Sequence, residues 1–126
     1  MPIRVLLADD KEFVRQSIRR LLEAHPEIEI IGEAANFAQT IQIANDLKPQ
    51  VIVMDLHMPD DTKIMPSELK SHLNSEGSKI LAVSVWQDED AHALAKSMGA
   101  VALLDKASLA YGLVPTIMQL VSERIP

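Results

Sequence analysis

Val51-Ile52-Val53-Met54-Asp55, followed at once by Leu56-His57-Met58-Pro59, is the stretch on which the fold turns. Four apolar residues run without alternation and stop at a carboxylate. A strand with one wet face alternates apolar and polar residues, whereas a strand covered on both faces reads as a continuous apolar run. The same form appears at Val5–Ala8, closed by Asp9-Asp10, and at Ile80–Val83, closed by Ser84. Covered strands with polar ends predict a parallel sheet between two layers of helices.

The segments between these runs carry helical spacing. Strands are predicted over Ile3–Ala8, Ile28–Ala34, Val51–Asp55, Lys79–Ser84 and Val101–Leu104. From Glu12 to His25, the residues Phe13, Val14, Ile18, Leu21 and Leu22 share one face, and Pro26 stops the helix. Asn36 is an N-cap for a second helix with Phe37, Ile41, Ala44 and Leu47 on its stripe, closed by Lys48-Pro49. A polar loop, Leu56–Met65, precedes a short helix from about Pro66 to Leu73; a fourth helix covers Asp88–Met98 and ends at Gly99. The last runs to about Arg124, and Pro115 either starts its regular part or kinks a longer helix. Strands alternating with helices imply right-handed crossovers and a doubly wound five-stranded α/β sheet, with ligands bound beyond the carboxyl ends of the strands.

Composition narrows the function. A chain of 126 residues is one ordinary domain, 1–126, and 48% apolar with 24% charged residues is globular. No apolar run is long enough for a membrane span, and Val5–Ala8 is too short for a signal peptide core, so a cytoplasmic protein is expected. The absence of cysteine excludes disulfides and thiolate zinc sites. A net charge of −6 argues against this domain gripping a nucleic-acid backbone by itself.

Asp9-Asp10, Asp55, Ser84 and Lys106 all fall at the same predicted sheet edge. Each Asp alone is an ordinary strand-end residue. Three carboxylates converging on one crevice repel each other unless a cation offsets them. All candidate ligands are oxygens, which suits magnesium. A carboxylate nucleophile, a hard cation and a lysine are what in-line phosphoryl transfer to Asp55 needs, with Ser84 as a hydrogen-bond donor to a phosphoryl oxygen.

Five pieces in order resemble the receiver domain of bacterial two-component response regulators. These are Val5-Leu-Leu-Ala-Asp-Asp10 with Phe13-Val-Arg15 and Arg20-Leu-Leu-Glu23; Val53-Met-Asp-Leu-His-Met-Pro59; Ile80-Leu-Ala-Val-Ser84; Gly99-Ala with Leu104; and Lys106. The resemblance spans essentially the whole chain, and Lys106-Ala-Ser108 and the start of the first helix look most like receivers joined to LuxR-type outputs. It implies a flavodoxin-like, CheY-like fold and a switch that is not a turnover enzyme. Asp55 would be the phosphoacceptor, and Asp10, Asp55, the backbone carbonyl of His57 and, directly or through water, Asp9 would hold magnesium. Ser84 and Lys106 would bind the phosphoryl group. The implied partners are a sensor histidine kinase and a second copy, met through the fourth helix, fifth strand and fifth helix; Leu109, Tyr111 and Leu113 either add apolar area there or pack on the sheet, as is expected of at least one of them. His25, His72 and His92 read as helix-surface residues.

The chain departs from the family pattern at four places. Asp60-Asp61-Thr62-Lys63 replaces a glycine-containing loop and adds negative charge near the acceptor. Val85 stands where a small residue usually follows the switch hydroxyl, and narrows access. Trp86, the single tryptophan, is either a lid residue or a partner contact. Leu103 holds the switch-relay position of an aromatic that swings inward. Two rival readings stand beside the phosphorylatable receiver. One is a pseudo-receiver that binds without phosphorylation, opposed by the intact Asp9, Asp10, Asp55, Ser84 and Lys106. The other is a phosphohydrolase of the haloacid-dehalogenase type, opposed by His57 where that class has a second Asp.

Overall fold

The strand edges just described meet in a computed structural model that describes residues 2–74 and 77–122. Its strands are β1 (Ile3–Ala8), β2 (Ile28–Ala34), β3 (Val51–Asp55), β4 (Lys79–Ser84) and β5 (Ala100–Asp105). Its helices are α1 (Glu12–Glu23), α2 (Phe37–Leu47), α3 (Pro66–Asn74), α4 (Glu89–Ser97) and α5 (Leu109–Ser122), with a short 3-10 turn, Lys106–Ser108, ahead of α5. The sheet order is β2-β1-β3-β4-β5 and every pairing is parallel. The doubly wound α/β architecture is therefore as expected.

Alternation of side chains along each strand divides the core in two. Leu6, Ile52, Met54 and Ile80 face α2, α3 and α4, packing with Phe37, Leu69, Leu73 and Met98. Their neighbours Val5, Leu7, Val53 and Leu81 face α1 and α5, packing with Ile18, Leu22, Leu113 and Ile117. The continuous apolar runs are thus two half-sets, one for each helical layer.

Helix ends follow local chemistry. The Asn36 side chain accepts from Gln39 N–H at 2.8 Å, as a capping asparagine should. Asp88 does the same for α4, accepting from Ala91 N–H at 2.9 Å, and so lies before that helix and not in it. Gly99 turns the chain from α4 into β5 at φ 87°, and a Cβ there would stand 2.5 Å from Asn74 Nδ2. Its left-handed backbone is what calls for glycine, since the nearest atom is the free end of the exposed Asn74 side chain.

Several expectations are corrected. Helix α1 ends at Glu23, two residues before His25, because the residue before Pro26 is disfavoured in helical conformation. His25 therefore sits in the turn into β2, while His72 and His92 are exposed on α3 and α4. Phe13 shares the helical spacing of the core face but is 68% exposed, at the margin where α1 runs past the sheet edge. Leu47 at the end of α2 is also partly exposed, at 41%. The loop after β3 is not uniformly polar, since Leu56 and Met58 are buried in the core layer that holds α2, α3 and α4. β5 is one residue longer at each end than predicted. Helix α5 continues through Pro115, so that residue does not start it. The expected extension to about Arg124 lies outside the described residues. Leu109 and Leu113 are buried in the core, leaving Tyr111 alone of that trio on the surface. Among the described residues no helix is long and apolar enough to cross a membrane.

Candidate functional site

Parallel strands bring their carboxyl ends to one edge, and this alone gathers residues far apart in sequence. Asp9 follows the last residue of β1, Asp55 ends β3, Ser84 ends β4 and Lys106 follows β5. Register places Asp55 beside Val83 and Ser84 beside Asp105. The expected residues Asp9, Asp10, Asp55, Ser84 and Lys106 are therefore brought together.

Lys106 is the electrostatic centre. Its Nζ lies 2.8 Å from Asp9 Oδ2 and 3.1 Å from Asp55 Oδ2. The second oxygen of Asp9 accepts from Lys11 N–H at 2.9 Å, and that of Asp55 from His57 N–H at 3.3 Å. Asp10 points into the same space, 3.8 Å from Lys11 Nζ, and its buried Oδ1 has no hydrogen-bond partner. One carboxylate oxygen from each of Asp9, Asp10 and Asp55 lies within 4.8 Å of the others.

Burial lifts the Asp55 carboxyl above the ordinary aspartate range, and the charge of Asp9 pushes the same way, against the opposing pull of Lys106. Burial acts on Lys106 in the other sense, but its close contact with Asp9 and the charge of Asp55 outweigh it. The ammonium is held above the usual lysine value. Lys106 and the largely exposed Lys11 beside Asp10 thus serve a group of three carboxylates, leaving an excess of negative charge that a hard cation would offset.

Ser84 is buried, and its Oγ accepts from Trp86 N–H at 3.0 Å. Above it opens a crevice of about 730 Å³ with Asp10, Asp55, Ser84 and Lys106 on its walls and Phe13 and Trp86 at its rim. Val85 also lines this rim and is largely exposed. Trp86 is 60% exposed, and its ring meets the His57 ring edge-to-face at 6.1 Å between centroids. Leu103 is half-buried beside Ala82 on β4 and packs into the layer that holds α4.

The acidic loop after β3 holds a correction. Asp60 does not direct its charge at Asp55: its carboxylate turns to α2 and accepts from Phe37 N–H at 2.9 Å and Ala38 N–H at 3.0 Å. The positive end of α2 stabilises that charge. Asp61 lies 3.6 Å from His57 Nδ1.

Three positioning features escaped the sequence reading. One is the Asp60 cap, formed across 23 positions of sequence. Another is the Gln87 amide, which donates to the carbonyls of Ser84, Trp86 and Leu104. The third is Arg15, which donates from Nη1 to the Asp9 carbonyl at 2.6 Å while its Nε reaches Glu33 Oε1 at 2.8 Å. Arg19 joins the same carboxylate at 2.6 Å. The spacing of Arg15 and Arg19, one turn apart on α1, was the available signal for a shared partner.

Comparison with known proteins agrees with this geometry. The family model for the response regulator receiver domain matches residues 5–117. The transcriptional regulatory protein LiaR of Bacillus subtilis is 38% identical over 113 residues, covering 86% of this chain and 51% of LiaR. A protein-glutamate methylesterase/protein-glutamine glutaminase of Alkalilimnicola ehrlichii is 48% identical over 60 residues, 48% of this chain and 15% of that protein. The chain thus spans about half of the one relative and a smaller part of the other.

Among solved structures, the response regulator domain of Thermotoga maritima CheB superposes with a TM-score of 0.83 at 26% identity, covering 97% of this chain and 98% of that one. A LuxR-family two-component response regulator from Aurantimonas sp. SI85-9A1 gives 0.78 at 25% identity, with 100% of both chains covered. The edge geometry and the match over residues 5–117 lead to one conclusion: the chain belongs to the response regulator receiver domain family.

Proposed function

We propose that this chain, 1–126 acting as one unit, is a phosphoacceptor switch in which Asp55 takes a phosphoryl group from a sensor histidine kinase. The observation that carries the reading is the convergence of Asp9, Asp10 and Asp55 on Lys106, with a buried Asp10 oxygen left without a hydrogen bond. That oxygen and the excess negative charge fit a magnesium ion held by Asp10, Asp55 and the His57 backbone carbonyl, with Asp9 directly or through water. Magnesium, when bound, offsets negative charge on the phosphoryl oxygens and on the carboxylates around them.

A carboxylate oxygen of Asp55 forms the new bond to phosphorus as the bond from phosphorus to the donor imidazole nitrogen breaks, and the imidazole leaves with the electron pair of that bond. Lys106 contributes a point charge to a phosphoryl oxygen, held ready by its contact with Asp9. The Ser84 hydroxyl accepts from Trp86 N–H, so its own proton is free to be donated to a second phosphoryl oxygen. Burial of the crevice floor strengthens both interactions. The product is a charged side chain at the sheet edge, which alters what the surrounding loops and the α4–β5–α5 face bind. In this reading the chain accepts and slowly loses its own phosphoryl group without turning over a substrate. It makes no nucleic-acid contact itself, and a partner copy is met through the α4–β5–α5 face.

Intact-mass measurement after incubation with magnesium and acetyl phosphate tests the proposal. One phosphoryl adduct is expected in the wild type and none in Asp55→Asn. An adduct that survives this substitution overturns the assignment of Asp55.

A further inference from the structure

Gln87 lies in the loop between β4 and α4, three residues after Ser84, and the proposed phosphoryl chemistry gives it no task. Its Nε2 stands 3.2 Å from the Ser84 carbonyl, 2.9 Å from that of Trp86 and 3.3 Å from that of Leu104. Three carbonyl oxygens around one atom fix the orientation of the amide, because an oxygen there would meet three acceptors. Two N–H groups shared among three carbonyls make a bifurcated clamp across two strands. On one side are Ser84 and Trp86, the start of the loop after β4. On the other is Leu104 of β5, two residues before Lys106. Between them Asp105 caps the turn that holds Lys106, accepting from Ala107 N–H at 2.9 Å.

Ser84 and Lys106 face the same crevice from different strands. Backbone pairing joins these strands as far as Ser84 and Asp105, after which the loops diverge. Beyond that point the Gln87 side chain joins the loop leaving β4 to β5. Leu103, whose aliphatic side chain packs toward α4, offers no polar link between the two.

We propose that Gln87 is a positioning residue that couples Ser84 to β5. It holds the Ser84 loop at a set distance from the Lys106 turn, and it passes displacement of that loop to the Leu104–Asp105 peptide. The inference rests on the phosphoacceptor reading of Asp55. When the Ser84 hydroxyl is drawn to a phosphoryl oxygen, the Trp86 N–H that it accepts from moves with it, as does the Trp86 carbonyl that Gln87 holds. A rigid amide bonded on both sides carries that movement to the Leu104 carbonyl.

The test uses the full chain with magnesium and beryllium fluoride as a phosphoryl mimic at Asp55. Two signals are read: Trp86 emission for the loop, and the amide nitrogen shift of Asp105, which shares a peptide group with the Leu104 carbonyl. In the wild type both change on saturation with mimic. Gln87→Met keeps the length of the side chain and removes its donors. It is expected to bind the mimic about 3- to 10-fold more weakly, the range set by loss of one net hydrogen bond. At saturation it should keep the Trp86 response and lose the Asp105 response. Gln87→Ala should repeat this pattern, and thermal melting identifies any variant that has lost its fold. A purely structural role lowers the melting temperature while leaving the Asp105 response intact. Persistence of that response in a folded variant therefore overturns the proposal. A wild-type chain that takes up no mimic overturns the phosphoacceptor reading, and the coupling with it.

Discussion

The Lys106 ammonium donates to Asp55 Oδ2 at 3.1 Å while lying 2.8 Å from Asp9 Oδ2, so one cation is shared by two buried carboxylates from neighbouring strands. The two sides of this contact should respond oppositely to removal. Lys106→Met leaves the carboxylates facing each other and is expected to cost about 1–3 kcal/mol without metal, the range for stranding a buried polar partner. Millimolar magnesium should recover part of that loss through preferential binding to the folded state. Asp55→Asn should instead raise the melting temperature at neutral pH. Folding raises the pKa of Asp55 by burial, so the folded chain binds the proton more tightly than the unfolded chain. Stability from this group therefore falls as pH rises through that window, and the advantage of asparagine should vanish in acid. Urea titrations at neutral and acidic pH, with and without magnesium, read both signs.

Glu33 titrates the other way. Burial alone would raise its pKa, but hydrogen bonds and charge from Arg19 and Arg15 outweigh it, and the net shift is downward. A depressed carboxylate stabilises the fold above its unfolded value and loses that contribution as pH falls through the folded value. Glu33→Gln should cost about 1 kcal/mol at neutral pH, near the upper end for a partly exposed ion pair. It should become equal to the wild type at the acid end of a pH series of denaturant melts. Because Arg15 also donates to the Asp9 carbonyl, the variant should bind magnesium more weakly as well. An unchanged magnesium titration would separate the brace from the acidic cluster.

Asp60 couples the loop after β3 to α2 by two hydrogen bonds to its first-turn N–H groups. Asp60→Ala strands both and removes a charge from the positive helix end, an expected loss of about 0.5–2 kcal/mol. Asp60→Asn keeps one acceptor and should lose less. The order alanine, asparagine, aspartate in chemical denaturation checks the assignment, and equal stability of all three would sink it.

What the residues disclosed before folding follows from how local each cause is. Continuous apolar runs such as Val51–Met54 need only a strand covered on both faces, and the topology then sets Asp9, Asp55, Ser84 and Lys106 at one edge. Asn36 capped as expected because its partner is three residues away. Phe13 defeated periodicity because helical spacing gives the angle around α1 but not how far the sheet extends beneath it. Asp60 and Gln87 were unreadable for a different reason. Their partners, Phe37 and Leu104, come close only when separate crossovers have packed. Pro115 could be read as a start because a missing N–H is harmless there, yet α5 tolerates it internally.

Tyr111 on α5 is 85% exposed, and Val101 on the edge strand β5 is 51% exposed. Leu109 and Leu113, of which at least one was expected to pack on the sheet, are both buried, so the exposed apolar area is small. A small apolar patch supports weak association, since only the surplus over lost translational and rotational freedom appears as affinity. The expected behaviour is a monomer–dimer equilibrium shifted toward dimer when Asp55 carries a phosphoryl group or its mimic. Tyr111→Glu should abolish the shift, because a symmetric interface brings each substituted position to both partners. It should leave adduct formation at Asp55 intact, since Tyr111 is absent from the crevice walls. Sedimentation velocity over a concentration series, with and without magnesium and beryllium fluoride, gives the distribution. A single unchanged monomer under both conditions would remove the α4–β5–α5 face from the switch, and a dimer that survives Tyr111→Glu would place the interface elsewhere.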